Sequence, residues 1–366
     1  VNLFMFLTQK KDMYTNITSN EYIKNWSKSN FSYNQKTITS KELQDLDRIR
    51  LSQGIFKMKS FFNEQLKNTK ENAVVLLNHN NLMYSSLYLL KQDIINHKIV
   101  DDISTKNKIA LRITEEILKI EKNSPLFPSN CCSHIQSVAS ILKWMLLTGS
   151  QDDGLSEEFD TILDITALLL TKIYKEKSVL PIIINMAFER NRRGANTHDL
   201  LWSFFEAKDP RSFILVANYL LSEHNKDIEL AKKLLKFASD VNMTINTPPY
   251  YQYLHFISWL KENYFYLYFT GESFQQTNQP IPYVVVLEAK YLNKVVSIDT
   301  GKILESLSEN DVNCIYTFRN LDQNTRIILT NFSHFLRHKD DQFWTHWLNS
   351  TISEQIMTAK NWLGVS

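Results

Sequence analysis

LPIIINMAFERNRRGANTHDLLWSFFEAKDPRSFILVANYLLSEHNKDIELAKKLLKFAS, residues 180–239, carries the reading on which the fold turns. Pro181 stands in a first helical turn, where its missing N–H removes no intrahelical bond. The segment from Leu180 to Arg193 ends in Arg190, Arg192 and Arg193, cations that suit a helix C-terminus. Gly194 stops it, and Asn196 or Thr197 caps a second helix up to Ala207. Asp209 and Pro210 open a third helix to Leu221, and Asp227 to Ser239 returns. Two antiparallel helical hairpins in succession are therefore expected. They start at Pro181 and Pro210, a spacing near that of known helical repeats. A third good copy is not found, and the Trp/Leu-Gly/Tyr signature of tetratricopeptide repeats is absent.

Upstream, helical periodicity continues. Thr39-Ser40-Lys41-Glu42 is a capping-box pattern ahead of Leu43, Leu46 and Ile49. That helix is expected to reach Gly54 and resume from Phe56 to Leu66. Leu76, Leu77, Asn80, Tyr84, Leu87 and Leu90 recur at threes and fours, which reads as one helix from Asn72 to His97. Ser104–Lys122, Ser133–Leu147 and Ser156–Lys175 are three more. Residues 1–38 are polar and rich in Asn, Ser and Thr, and read as an arm.

Downstream the character changes. Tyr250 to Glu262 is helical, within an aromatic run that extends to Phe269 and reads best as a buried seam. Tyr264–Phe269 and Tyr283–Leu287 have strand character, and Val295–Ile298 is the expected hairpin partner of the second. Ser306-x-x-Glu309 opens a helix to Phe318, followed by Asp322–His338 and Ser353–Trp362. The expected fold is mainly α: stacked antiparallel helical hairpins, repeat-like, with a small β element near 264–299. The expected organisation is an arm (1–38), a helical domain (39–262) and a C-terminal part (263–366) packed on the same core.

Composition agrees. The chain of 366 residues holds 7 glycines, where average usage would give about 26. A protein of many hairpin turns needs more positions with positive φ. The charge of +2, from 41 basic and 39 acidic residues, gives no general attraction to nucleic acid or anionic membrane. No apolar run reaches the roughly 18 residues of a membrane span. Val1–Leu7 is apolar, but its lysines follow it, the wrong order for a secretory leader. Cys131, Cys132 and Cys314 form no pairing framework, which favours a reducing, cytoplasmic setting.

Several residues carry candidate chemistry. Glu288-Ala289-Lys290 at a strand end has the Glu-x-Lys spacing of PD-(D/E)xK nucleases, in which the carboxylate holds Mg²⁺ and the lysine assists the attacking water. The nearest further acid is Glu272; an edge-strand ion pair between Glu288 and Lys290 is the competing reading. Arg192 and His198 have the Arg-x5-His spacing of HEPN ribonucleases, but Gly194 lies between them. His334 and His338 stand one helical turn apart, as metal ligands do, with His346, Asp340 and Asp341 nearby. The glutamate of a zinc-protease motif is missing. Cys131, Cys132 and His134 lack a fourth ligand. Glycine-rich phosphate loops are absent, so no nucleotide cofactor is expected, and no structural metal.

The function expected from these features is a non-catalytic scaffold, adaptor or assembly subunit working through protein–protein surfaces, with a protein partner or self-assembly. A metal-dependent nuclease using Glu288 and Lys290 is the alternative, and a peptide-sensing helical-repeat receptor a third. A membrane role is not expected, nucleic acid is not indicated, and the sequence leaves small-molecule binding open.

Overall fold

The computed structural model describes residues 46–121, 135–238 and 247–364. The arm, the capping box at 39–42 and Cys131, Cys132 and His134 lie outside them. The fold is mainly α. Helix makes up 71% of the structure, with 18 α-helices among the described residues and one small antiparallel sheet. The chain forms two compact units, residues 1–182 and 183–366, the division falling within a helix in sequence.

The first unit holds α1 (Leu46–Gln53), α2 (Ile55–Asn68), α3 (Lys70–Leu77), α4 (Tyr84–Leu89), α5 (Lys91–Asn96), α6 (Thr105–Glu121), α7 (Ile135–Gly149) and α8 (Glu157–Leu168). The continuous helix expected over 72–97 is corrected to three pieces. Asn78 ends α3 because its side chain turns outward from the helix: Oδ1 accepts from Ser104 N at 2.6 Å and Nδ2 reaches Asp102 O. Asn also favours such local bonding over helix interiors. The periodic apolar positions survive the break, since Leu76, Leu77, Tyr84 and Leu87 are all buried. Tyr84 stacks on Phe159 at 5.6 Å and its hydroxyl bonds Thr114 Oγ1 at 2.7 Å. Gly149 admits this packing: a Cβ there would stand 2.7 Å from Leu163 Cδ2 and 3.2 Å from the Tyr84 ring.

The second unit begins within α9 (Leu180–Arg193), which has the expected bounds. Then come α10 (His198–Glu206), α11 (Phe213–Ala217) and α12 (Asn225–Leu235). Gly194 follows α9 with φ of 75°, a conformation that favours glycine. Asp209 caps as expected, accepting from Arg211 N, but the helix it opens is a 3₁₀ turn before the short α11. Phe213, Phe237, Phe256, Trp259 and Tyr283 form a buried aromatic cluster that brings α11 against α13 (Pro249–Asn263).

The sheet pairs β1 (Leu267–Phe269) with β2 (Tyr283–Val285) antiparallel, Leu267 opposite Val285 and Phe269 opposite Tyr283. This corrects the expected strand to Leu287 and its expected partner. After β2 the chain enters α14 (Leu287–Tyr291), where Ala289 N and Lys290 N both bond Val286 O. Glu, Ala and Lys are good helix formers. Residues 295–298 bond the β1 segment instead, through Val296 N to Phe265 O and Phe269 N to Ile298 O. The capping box before α15 (Glu309–Arg319) is Ser308 with Asp311, not Ser306 with Glu309. It is followed by α16 (Gln323–Lys339), α17 (Asp341–Leu348), which the periodicity did not disclose, and α18 (Ile352–Leu363). Tyr291, Phe318, Leu329, Phe332, Leu336 and Trp347 make the core they share. No helix among the described residues is long and apolar enough to cross a membrane.

Candidate functional site

The positions singled out in the sequence fall in three places. Glu288 accepts from Arg319 Nε at 3.0 Å. Lys290, two residues on, points elsewhere: its ammonium donates to Asn263 Oδ1 at 2.8 Å. The expected pairing of Glu288 with Lys290 is therefore replaced by two separate partners, because α14 turns the chain where a strand would have kept both on one face. Glu272 accepts from Ile281 N at 2.9 Å within its own loop.

Arg192 and His198 also diverge. Arg192 grips Asp227 with Nε and Nη2, at 2.9 and 2.7 Å, a fork matched to the carboxylate. Burial acts to raise the Asp227 pKa, but the bonds from Arg192 and Ser222 outweigh it and hold the carboxyl below its usual range. His198 stacks on Phe274 at 5.7 Å. It borders a polar cleft with Asn191, Lys226, Glu229 and Lys233.

Lys290, His334 and His338 come together. They line a cleft of about 660 Å³ in the second unit, with His255, Ser258, Trp259, Glu262, Asn263, Asn331, Phe335 and Trp362. Pro249 starts α13 at a position that requires no N–H. The helix then buries Gln252, Phe256, Trp259 and Asn263 along one face. Asn263 is held by its own helix, Nδ2 donating to Trp259 O at 2.7 Å, which aims its oxygen at Lys290. α16 fixes α14 from the other side: Ser333 Oγ donates to Tyr291 O at 2.6 Å and receives Trp344 Nε1 at 2.8 Å. Tyr291 in turn donates to Gln355 Oε1 at 2.5 Å. Lys290, 4% exposed, thus has a fixed position in the wall of the cleft.

His334 and His338 present their rings 4.3 Å apart. His338 Nδ1 lies 2.8 Å from His334 O, and because a carbonyl only accepts, Nδ1 carries the proton. Burial, the Lys290 ammonium and His338 together push the His334 pKa down to about 4, so that ring is neutral at pH 7. Among the described residues no group of three or more His, Cys, Asp or Glu is placed to hold a metal ion. The cleft is lined by one lysine, one glutamate, three histidines, three neutral polar side chains and three aromatic rings.

Sequence reasoning found the lysine and the two histidines, and Trp259 only as a member of the aromatic run, but not Asn263, Glu262 or His255. Their spacing at three and four along α13 was available, yet nothing local joins residue 263 to 290 or 334. No family model, no curated protein and no solved structure matches this chain.

Proposed function

We propose that the protein is a non-catalytic helical scaffold, adaptor or assembly subunit that acts in the cytoplasm through protein–protein surfaces. The observation that carries this reading is an apolar strip in the second unit. Val312 and Tyr316, one turn apart on α15, are exposed, Tyr316 to 73%. Leu304 (65% exposed) and Leu307 lie just before it in the chain, and the exposed Val295 is brought beside Leu304 by the bond from Leu304 N to Val295 O. Single exposed apolar residues are ordinary; several along one segment mark an interaction surface. A repeat-like stack of helices would extend such a face. The nuclease alternative gains no support from Glu288, Lys290 and Glu272, each bonded to a different group.

The test is the Val312→Glu/Tyr316→Glu double variant. Light scattering coupled to gel filtration, and affinity capture from source cells, should show loss of assembly or of a stoichiometric partner, with helicity unchanged. Retention of every partner by the variant, or Mg²⁺-dependent cleavage of DNA or RNA by the pure protein, would overturn the proposal.

A further inference from the structure

The backbone ladder of the second unit continues past β1 and β2. Residues 295–298 bond the β1 segment, and 302–304 bond 295–297 in turn. In this outermost pair Ser297 N donates to Lys302 O at 2.8 Å and Leu304 N to Val295 O at 2.9 Å, with Val296 opposite Ile303. Val296 and Ile303 therefore exchange no bonds with each other, and the N–H and C=O of Ile303 point outward from the edge. Neither has a hydrogen-bond partner among the described residues.

Side chains alternate along such a segment. Ile303 packs against the core, and Lys302 and Leu304 share the other face. Leu304 is 65% exposed there, with Val295 beside it. Lys302 is exposed, and its ammonium has no partner among the described residues.

We propose that this edge takes up an extended segment of a protein partner, running antiparallel, with an apolar residue opposite Leu304 and an acidic residue two positions later opposite Lys302.

An outward N–H and C=O on one residue match the backbone of a strand, whereas the groups of a helix are already bonded internally. The neighbouring pairs are antiparallel, and that pairing is the slightly stronger one. Ile303 then exchanges both bonds with the middle residue of the partner. Lys302 and Leu304 fall in the pairs without bonds, where side chains approach most closely. Charge selects the sequence. A lysine on a short edge discourages indiscriminate strand pairing, but it favours a strand that sets an acid against it. A second copy of this edge does not supply one, because bonding Ile303 to its own counterpart sets Lys302 against Leu304. The strand site rests on the surface role proposed above, since Leu304 and Val295 belong to the same apolar strip.

The experiment uses the full chain and a dye-labelled, amidated peptide, Thr-Val-Leu-Val-Glu-Val-Thr, with two relatives: one with lysine in place of glutamate, one with an N-methyl group on the central valine. Fluorescence anisotropy should show binding of the first peptide below about 1 mM. The lysine peptide should bind about three- to fivefold more weakly, and the N-methyl peptide at least about fivefold more weakly, having lost its donor to Ile303 O. Lys302→Glu, with circular dichroism unchanged, should invert the order of the glutamate and lysine peptides. No binding up to about 1 mM, equal binding of the three peptides, or an unchanged order in Lys302→Glu would overturn the proposal. So would a dimer of the free chain that Leu304→Glu separates, which would give the edge to a second copy. If Lys302→Glu fails to fold, the three peptides with the wild type decide. Failure here, with partners still lost from the Val312→Glu/Tyr316→Glu variant, removes the strand and leaves the surface role; retention of every partner by that variant removes both.

Discussion

Arg50 in the first unit and Lys290 in the second are both nearly buried cations, 6% and 4% exposed, and their surroundings differ in kind. Arg50 is enclosed by side chains brought from three segments. Its Nη1 meets Asp152 Oδ1 at 2.5 Å, Nη2 meets Asp47 Oδ1 at 3.3 Å, and Nε donates to Ser86 at 2.9 Å. Asp47 is itself held by Ser86 Oγ and Met83 N. This is a closed lock that ties α1 to α4 and to the turn at 150–152. Lys290 faces a neutral amide and a cleft with aromatic walls. Arg50 is neutralised in place by carboxylates, whereas Lys290 is bonded to the Asn263 amide and borders a cavity.

The largest expected effect tests the closed half of this contrast. Arg50→Met removes one member of a buried network and takes the arginine's charge from Asp47 and Asp152, which typically costs about 3–5 kcal/mol. Urea unfolding should register that loss. Lys290→Met removes the charge-assisted bond to Asn263, a loss of about 1.5–3 kcal/mol for that bond. If Lys290→Met proved the more damaging, Lys290 would be the structural lock and the contrast would be reversed.

A smaller effect probes the cleft itself. The His334 pKa is shifted from its ordinary 6.5 to about 4. Its folded value lies below its unfolded one, so the unfolded chain takes up the proton first. The contribution of His334 is fully present above pH 6.5, declines as pH falls from 6.5, and is gone below about 4. Because the ring is only half-buried, solvent screening reduces it to about 1 kcal/mol. The melting temperature of wild type minus that of His334→Gln should therefore shrink with acidification across that window. A difference that grows instead, or that stays flat, would show His334 charged in the fold and place a second cation in the cleft.

How much of this was legible in the sequence follows from how local each determinant is. α9 was readable because Pro181, three terminal arginines and Gly194 all lie within its own span, and α16 because Asp322 caps it. The break at Asn78 was not, since its side chain is claimed by Ser104 and Asp102, about two dozen residues away. Apolar periodicity hid the break by running through it. The same holds at the site: His334 and His338 are one turn apart and visible, whereas Lys290 meets Asn263 across 27 residues. The triplet Glu288-Ala289-Lys290 advertised a nuclease motif on the premise of a strand. The structure supplies a helical turn there, which sends the two charges apart.

The smallest effect is expected where that triplet first drew attention. Glu288 is paired with Arg319, whose side chain is 63% exposed, while that of Glu288 is 21% exposed. Water and salt screen such a pair, and holding two long side chains together offsets part of the attraction, so pairs of this kind contribute about 0–1 kcal/mol. Glu288→Gln keeps the shape and an acceptor oxygen for Arg319 Nε and removes the charge alone. Its unfolding free energy should stay within about 1 kcal/mol of wild type. One outcome would break this expectation. Intact folding with loss of a metal-dependent nucleic-acid cleavage would mean that Glu288 leaves Arg319 for a metal when substrate is bound, and would restore the catalytic reading of the triplet.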